Sequence, residues 1–159
     1  MTLNGDTVLC KIEASHTRNG QINFSTLTKK VTVIENGEKK RFKSHDIRWF
    51  CIKNRRGEIY KFVSLVRDKT RFYNEVINGR LSLYYSYTNS PYDGSIARLP
   101  IMVKDDKIVY LNVVNPRQRI GNLISDCPDL YKEWQNGTNY TTEDKEGIVR
   151  DYNDCMNKH

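Results

Sequence analysis
The sequence predicts an α+β fold: an antiparallel β meander or small β-barrel over about residues 6–113, followed by three short C-terminal helices within residues 115–157. Three observations predict it. Short runs of β-branched and aromatic residues recur between turn dipeptides from residue 6 onward. At Asn115 the hydrophobic period lengthens from two residues to about 3.6. The chain of 159 residues has no internal repeat, low-complexity tract or linker, so residues 1–159 read as a single domain.

The first strand is Asp6-Thr7-Val8-Leu9-Cys10-Lys11-Ile12. Lys30 to Ile34 and Lys39 to Lys43 flank Glu35-Asn36-Gly37-Glu38, where Asn-Gly supplies the positive φ angles of a tight hairpin turn. His45 to Lys53 and Glu58 to Val66 flank Asn54-Arg55-Arg56-Gly57, with Trp49, Cys51 and Phe62 as core candidates. Thr70 to Ile77 and Arg80 to Tyr87 make a hairpin about a second such turn, Asn78-Gly79. Ile96 to Val103 and Lys107 to Val113 close the series about Asp105-Asp106, with Pro100 expected to put its strand at an edge or break it.

Asn115-Pro116 then opens a helix, Asn as N-cap and Pro at the first helical position, carrying Ile120, Leu123 and Ile124 on one side. Asp126-Cys127-Pro128 starts a second, with Leu130, Tyr131 and Trp134, ended by Asn136-Gly137. Thr141 or Thr142 caps a third, whose first turn holds Glu143, Asp144 and Glu146 to suit the helix dipole. Its Ile148, Val149, Tyr152, Cys155 and Met156 form one apolar stripe. The helices pack most simply on one face of the sheet.

A hydrophobic share of 38% is low for a globular chain, but ten Tyr, five Phe and two Trp give it the large apolar surfaces a fold needs. The balance of +7, with a pI near 9.2, attracts phosphates, anionic lipids or acidic glycans. That charge is not focused: its densest run, Lys39-Lys40-Arg41 with Lys43, brackets Phe42 as one solvated strand face would. No apolar run reaches the ~18 to 20 residues of a membrane-spanning helix. Met1 leads almost directly into a strand, which fits an exported chain whose signal peptide has been removed and fits a cytoplasmic chain as well.

Four cysteines pair in three ways as two complete disulfides. The start of one helix lies beside the end of the next in an antiparallel helical hairpin, which brings Cys127 and Cys155 together as a structural clasp. The alternative is two buried free thiols. A Cys10 to Cys51 bridge requires their two strands to lie adjacent. No closely spaced Cys pair exists and the chain has only three His, so no metal site is expected.

Enzyme chemistry finds little support. A Ser-His-Asp arrangement would rest on His16, in a turn, or on His45 beside Asp46, since His159 is terminal. A hairpin turn accounts for Asp105-Asp106, and a helix start for Asp126 and Asp129. Neither a P-loop nor a glycine fingerprint is present, and no cofactor is expected. The stretch most suggestive of binding runs from Tyr84 to Gly94. Its Tyr84, Tyr85, Tyr87 and Tyr92 read either as a contact surface for glycan, peptide or single-stranded nucleic acid, or as cross-strand packing beside a loop.

Phe72-Tyr73-Asn74-Glu75-Val76-Ile77-Asn78-Gly79-Arg80-Leu81-Ser82-Leu83-Tyr84 resembles a hairpin of uncharacterised exported proteins of Bacteroidetes-type Gram-negative bacteria. Ser125 to Leu130 and Ile148 to Asn153 are similar to the helical end of such proteins, and Leu3-Asn4-Gly5-Asp6-Thr7 to their opening strand. The resemblance implies an exported location and a β-rich body with a helical tail, and no activity. The expectation is a non-enzymatic exported β-rich binding or envelope-interaction domain, periplasmic or anchored at the cell surface, with a protein or glycan partner. The alternatives are an intracellular basic nucleic-acid-binding module and, more remotely, a hydrolase.

Overall fold
A computed structural model describes residues 9–17, 20–90, 93, 95–137 and 139–158. The expected opening strand from Asp6, the Leu3 to Thr7 segment, Tyr92 and His159 fall wholly or partly outside the described residues. Among the described residues two antiparallel sheets and four helices make an α+β fold. One sheet holds β1 (Lys11–Glu13), β2 (Val31–Glu35) and β3 (Glu38–Phe42), in that order. The other runs β4 (Trp49–Lys53), β5 (Ile59–Leu65), β6 (Asp68–Ile77), β7 (Leu81–Asn89), β8 (Ile96–Lys104) and β9 (Lys107–Tyr110), each strand beside the next. The helices are α1 (Phe24–Leu27), α2 (Pro116–Ile124), α3 (Pro128–Asn136) and α4 (Lys145–Asn157). The meander is therefore present and the barrel is not: the long sheet ends at β4 and β9, and no pairing joins those two strands.

The chain parts into two compact units, and the division does not follow the passage from strands to helices. Unit 1 is Met1–Glu75 with Tyr85–Arg98; unit 2 is Val76–Tyr84 with Leu99–His159. Strands β6, β7 and β8 give residues to both.

Unit 1 is built round aromatic side chains. Val31 and Val33 alternate inward along β2, and Asn36 (φ 50°) and Gly37 (φ 83°) form the left-handed turn that the Asn-Gly pair predicts before β3. Phe50 stacks on Phe62 at 5.0 Å between ring centres and meets Phe72 edge-on at 5.0 Å, all three buried. The inward residues of β4 are thus Phe50 and Ile52, whereas Trp49 is half-buried and Cys51 is exposed. That reverses the facing expected for Trp49 and Cys51, because the packing of Phe50 on Phe62 and Phe72 turns the even residues of β4 inward. Helix α1, a single turn, is capped by Asn23, whose side chain accepts from the Ser25 N–H at 3.2 Å, and it buries Leu27 against the same cluster.

Unit 2 carries the long helices. Asp105 (φ 48°) and Asp106 (φ 60°) are both left-handed and turn β8 into β9. Strand β8 is an inner strand that runs through Pro100 without a break. The Pro100 carbonyl accepts from Leu111 N–H at 3.2 Å, so the donor that proline lacks falls on the β9 side, one residue beyond the Ile101–Tyr110 pair, the outermost in the register. Neither Asn78 nor Gly79 has positive φ. Glycine is required at 79 for another reason: a Cβ there would lie 2.5 to 2.8 Å from the Asn153 side-chain amide, which exchanges two 2.9 Å hydrogen bonds with the Leu81 backbone. Gly137 (φ 69°) ends α3 as predicted. The cap of α4 is Asp144, accepting from Gly147 N–H at 3.0 Å, and not Thr141 or Thr142; Thr141 accepts from Glu143 N–H at 3.3 Å one turn earlier. Ile120, Ile124, Trp134, Ile148, Val149 and Tyr152 are all buried. No helix among the described residues is long and apolar enough to cross a membrane.

Candidate functional site
Cys127 stands at the N-cap of α3 and Cys155 in the last turn of α4, and the two form a disulfide with their Cα atoms 6.5 Å apart. Cys127 is buried and Cys155 half-buried. Beside this clasp lies a charged cluster. The Asp126 carboxylate accepts from Lys104 Nζ at 2.7 Å and from the Tyr152 hydroxyl at 3.0 Å, with Arg80 at 3.8 Å. Lys104 also donates to the Leu123 carbonyl at 2.6 Å, and its Nζ lies 4.8 Å from the Tyr152 ring centre. Burial raises the Asp126 carboxyl, but the hydrogen bonds from Lys104 and Tyr152 outweigh it and leave the group below its ordinary value. Burial likewise lowers Lys104, and the bonds to Asp126 and Tyr152 carry it above its ordinary value. Both charges are held ionised and satisfied, which is the chemistry of a strut between α3 and α4 and leaves no poised acid or base.

Of the tyrosines offered as a contact surface, the first two turn inward. Tyr84 and Tyr85 are only 7% and 6% exposed. In unit 1, Arg98 lies 3.5 Å from the Tyr85 ring centre. Tyr87 packs on Phe24 at 5.1 Å, donates its hydroxyl to Asn74 Oδ1 at 3.0 Å, and has its pKa pushed up to about 12 by burial. Tyr92 lies outside the described residues. A run of large rings beside a sheet is worth more inside than out.

Among the described residues no catalytic arrangement gathers round His16 or His45. Exposed His45 has its Nε2 3.3 Å from Oδ1 of half-buried Asp46, and Asp46 Oδ2 accepts from Lys43 N–H at 2.7 Å, closing a turn. His16 is exposed in an isolated bridge to Ile22. Among the described residues no group of three or more His, Cys, Asp or Glu is placed to hold a metal.

Charge, by contrast, is sharply divided. Unit 1 has seventeen Lys and Arg against nine Asp and Glu, a net +8; unit 2 has nine against ten, a net −1. The run at 39–43 is partly neutralised, Lys39 by Glu13 at 2.6 Å and Lys40 by Glu35 at 2.7 Å.

Within unit 1, Cys10 and Cys51 are free thiols, half-buried and exposed. Cys10 lies just before β1 and Cys51 on β4, which belong to different sheets, and the bridge between them is not formed. Burial pushes the Cys51 thiol up, away from the reactive thiolate. Both cysteines nevertheless line one open cleft of about 470 Å³, formed by Cys10–Ala14 along β1 and Cys51–Lys53 along β4, with His16, Ile22 and Ile34. Strands β1 and β4 are each the end strand of their sheet. A cleft between two sheet ends leaves no trace in the sequence, because it depends on which strands stay unpaired. No protein-family model, curated protein or solved structure matches the chain.

Proposed function
We propose that this protein is a non-enzymatic exported binding domain, working in the periplasm or at the cell surface, in which unit 1 takes an anionic partner and unit 2 is a disulfide-stapled support. The observation that carries the location is the Cys127–Cys155 disulfide. Such bonds persist in oxidising compartments and are rare where glutathione and thioredoxin keep thiols reduced. The partner's sign follows from the net +8 of unit 1. The acid-stabilised Lys104 and the inward tyrosines add nothing to an enzyme reading. Fractionation of the native host, with the cysteines alkylated at lysis, tests the reading. Protein in the envelope fraction with Cys127 and Cys155 protected supports it; reduced protein in the cytoplasm overturns it.

The same net +8 favours one other reading, a nucleic-acid-binding module. Its affinity for generic DNA or RNA would fall steeply with salt while persisting near physiological ionic strength. Compartment separates the two.

A further inference from the structure
The cleft between β1 and β4 has the backbone chemistry of a strand receptor. In the β4–β5 hairpin the Arg48 carbonyl accepts from Ser64 N–H at 2.8 Å, and Asn54 N–H donates to the Glu58 carbonyl at 2.9 Å. Antiparallel ladders alternate, so the even residues of β4 point their backbone groups at β5 and the odd ones point away. The N–H and C=O of Cys51 and Lys53 therefore face outward along the end of the sheet, where no strand pairs with them among the described residues. These are the residues that line the cleft, opposite β1, the end strand of the other sheet. An open edge of this kind is a template for one more strand.

The charge at the cleft identifies the strand. Lys11 and Lys53 are exposed and have no carboxylate within ion-pair distance among the described residues, while Glu13 is occupied by Lys39. The one titratable cation-former that joins them is His16. A second copy of this chain would bring a unit of net +8 against another, which Coulomb repulsion opposes. We propose that the cleft between β1 and β4 binds an extended acidic peptide segment of a partner protein, added as a strand along Cys51 to Lys53 with its carboxylates on Lys11 and Lys53. This names the partner class for the binding function proposed above and rests on it.

The test measures binding of a fluorescent ten-residue peptide alternating Glu and Val, and of the same peptide methylated at every backbone nitrogen. The full chain is expected to bind the plain peptide at least about ten-fold more tightly, since methylation removes the ladder donors and keeps the charge. Cys51→Pro removes the outward N–H that would donate to a peptide carbonyl, puts its ring where the added strand would dock and spares the β5 ladder, so it is expected to weaken the plain peptide at least about ten-fold; Cys51→Ser keeps the N–H and is expected to bind normally. Lys11→Glu with Lys53→Glu changes only exposed side chains, is expected to fold, and is expected to weaken the plain peptide at least about ten-fold. Equal affinity for both peptides, or indifference to the Lys11 and Lys53 changes, overturns the proposal. So does a dimer that Cys51→Pro dissolves, or single-stranded DNA held more tightly than the peptide through the same two lysines. If polyglutamate still binds in any of these cases, the cleft assignment fails alone; if neither peptide nor polyglutamate binds, the anionic-partner function fails with it.

Discussion
The two units solve the problem of holding together in different ways. Unit 1 has no covalent cross-link among its described residues and relies on stacked rings, Phe50 on Phe62 and Phe72 edge-on, beneath two sheets. Unit 2 closes helices of nine, nine and thirteen residues, lengths that are marginal alone in water, with a disulfide and an ion cluster. Charge follows the same division, +8 against −1.

That contrast can be broken in order of effect. Phe62→Ala empties the centre of the aromatic cluster and is expected to cost about 3 to 5 kcal/mol, read as lost hydrogen-exchange protection in β4 and β5. Replacing Cys127 and Cys155 together by Ser opens a loop of sequence separation 28 and is expected to cost roughly 3 to 4 kcal/mol, with protection lost first in α3 and α4. The reverse pattern in either variant would erase the distinction between the units.

A smaller effect separates them by pH. The folded Asp126 carboxyl lies below its ordinary value, so its contribution is present above about pH 4 and is lost as pH falls through the folded value. Lys104 is raised, so its contribution is present below about pH 10 and is lost as pH climbs through its folded value. Asp126→Asn is expected to cost about 1 kcal/mol at neutral pH, discounted for a carboxylate 38% exposed, and to flatten the acid limb of urea midpoints. Tyr87 of unit 1, at about 12, responds only on the alkaline side, losing its contribution between about pH 10 and 12. Smallest of all, Lys39→Gln breaks an exposed pair and is expected to cost under about 1 kcal/mol in thermal unfolding.

What the sequence made legible was local. Asn36-Gly37 and Asp105-Asp106 bend as their residue types require, Pro116 opens α2, Gly137 ends α3, and the polarity of two helices brings Cys127 to Cys155. What it hid was tertiary. Helix α1 is four residues, too short to show a helical period. The facing of β4 turned on tertiary packing, since Phe50 and Cys51 alternate faces and only the contacts of Phe50 with Phe62 and Phe72 choose between them. Gly79 was read as a turn glycine, although its partner is Asn153, seventy-four residues away. The tyrosines alternate equally well as surface or core, and burial decided for the core. The cleft between β1 and β4 exists only because two strands found no neighbour.

The most direct test of the account is a count and map of reactive thiols in protein taken from its native host and denatured without reductant. Two are expected, Cys10 and Cys51, both in unit 1, with Cys127 and Cys155 recovered as one cross-linked peptide pair. Four reactive thiols would contradict it, removing both the staple in unit 2 and the argument for an oxidising compartment.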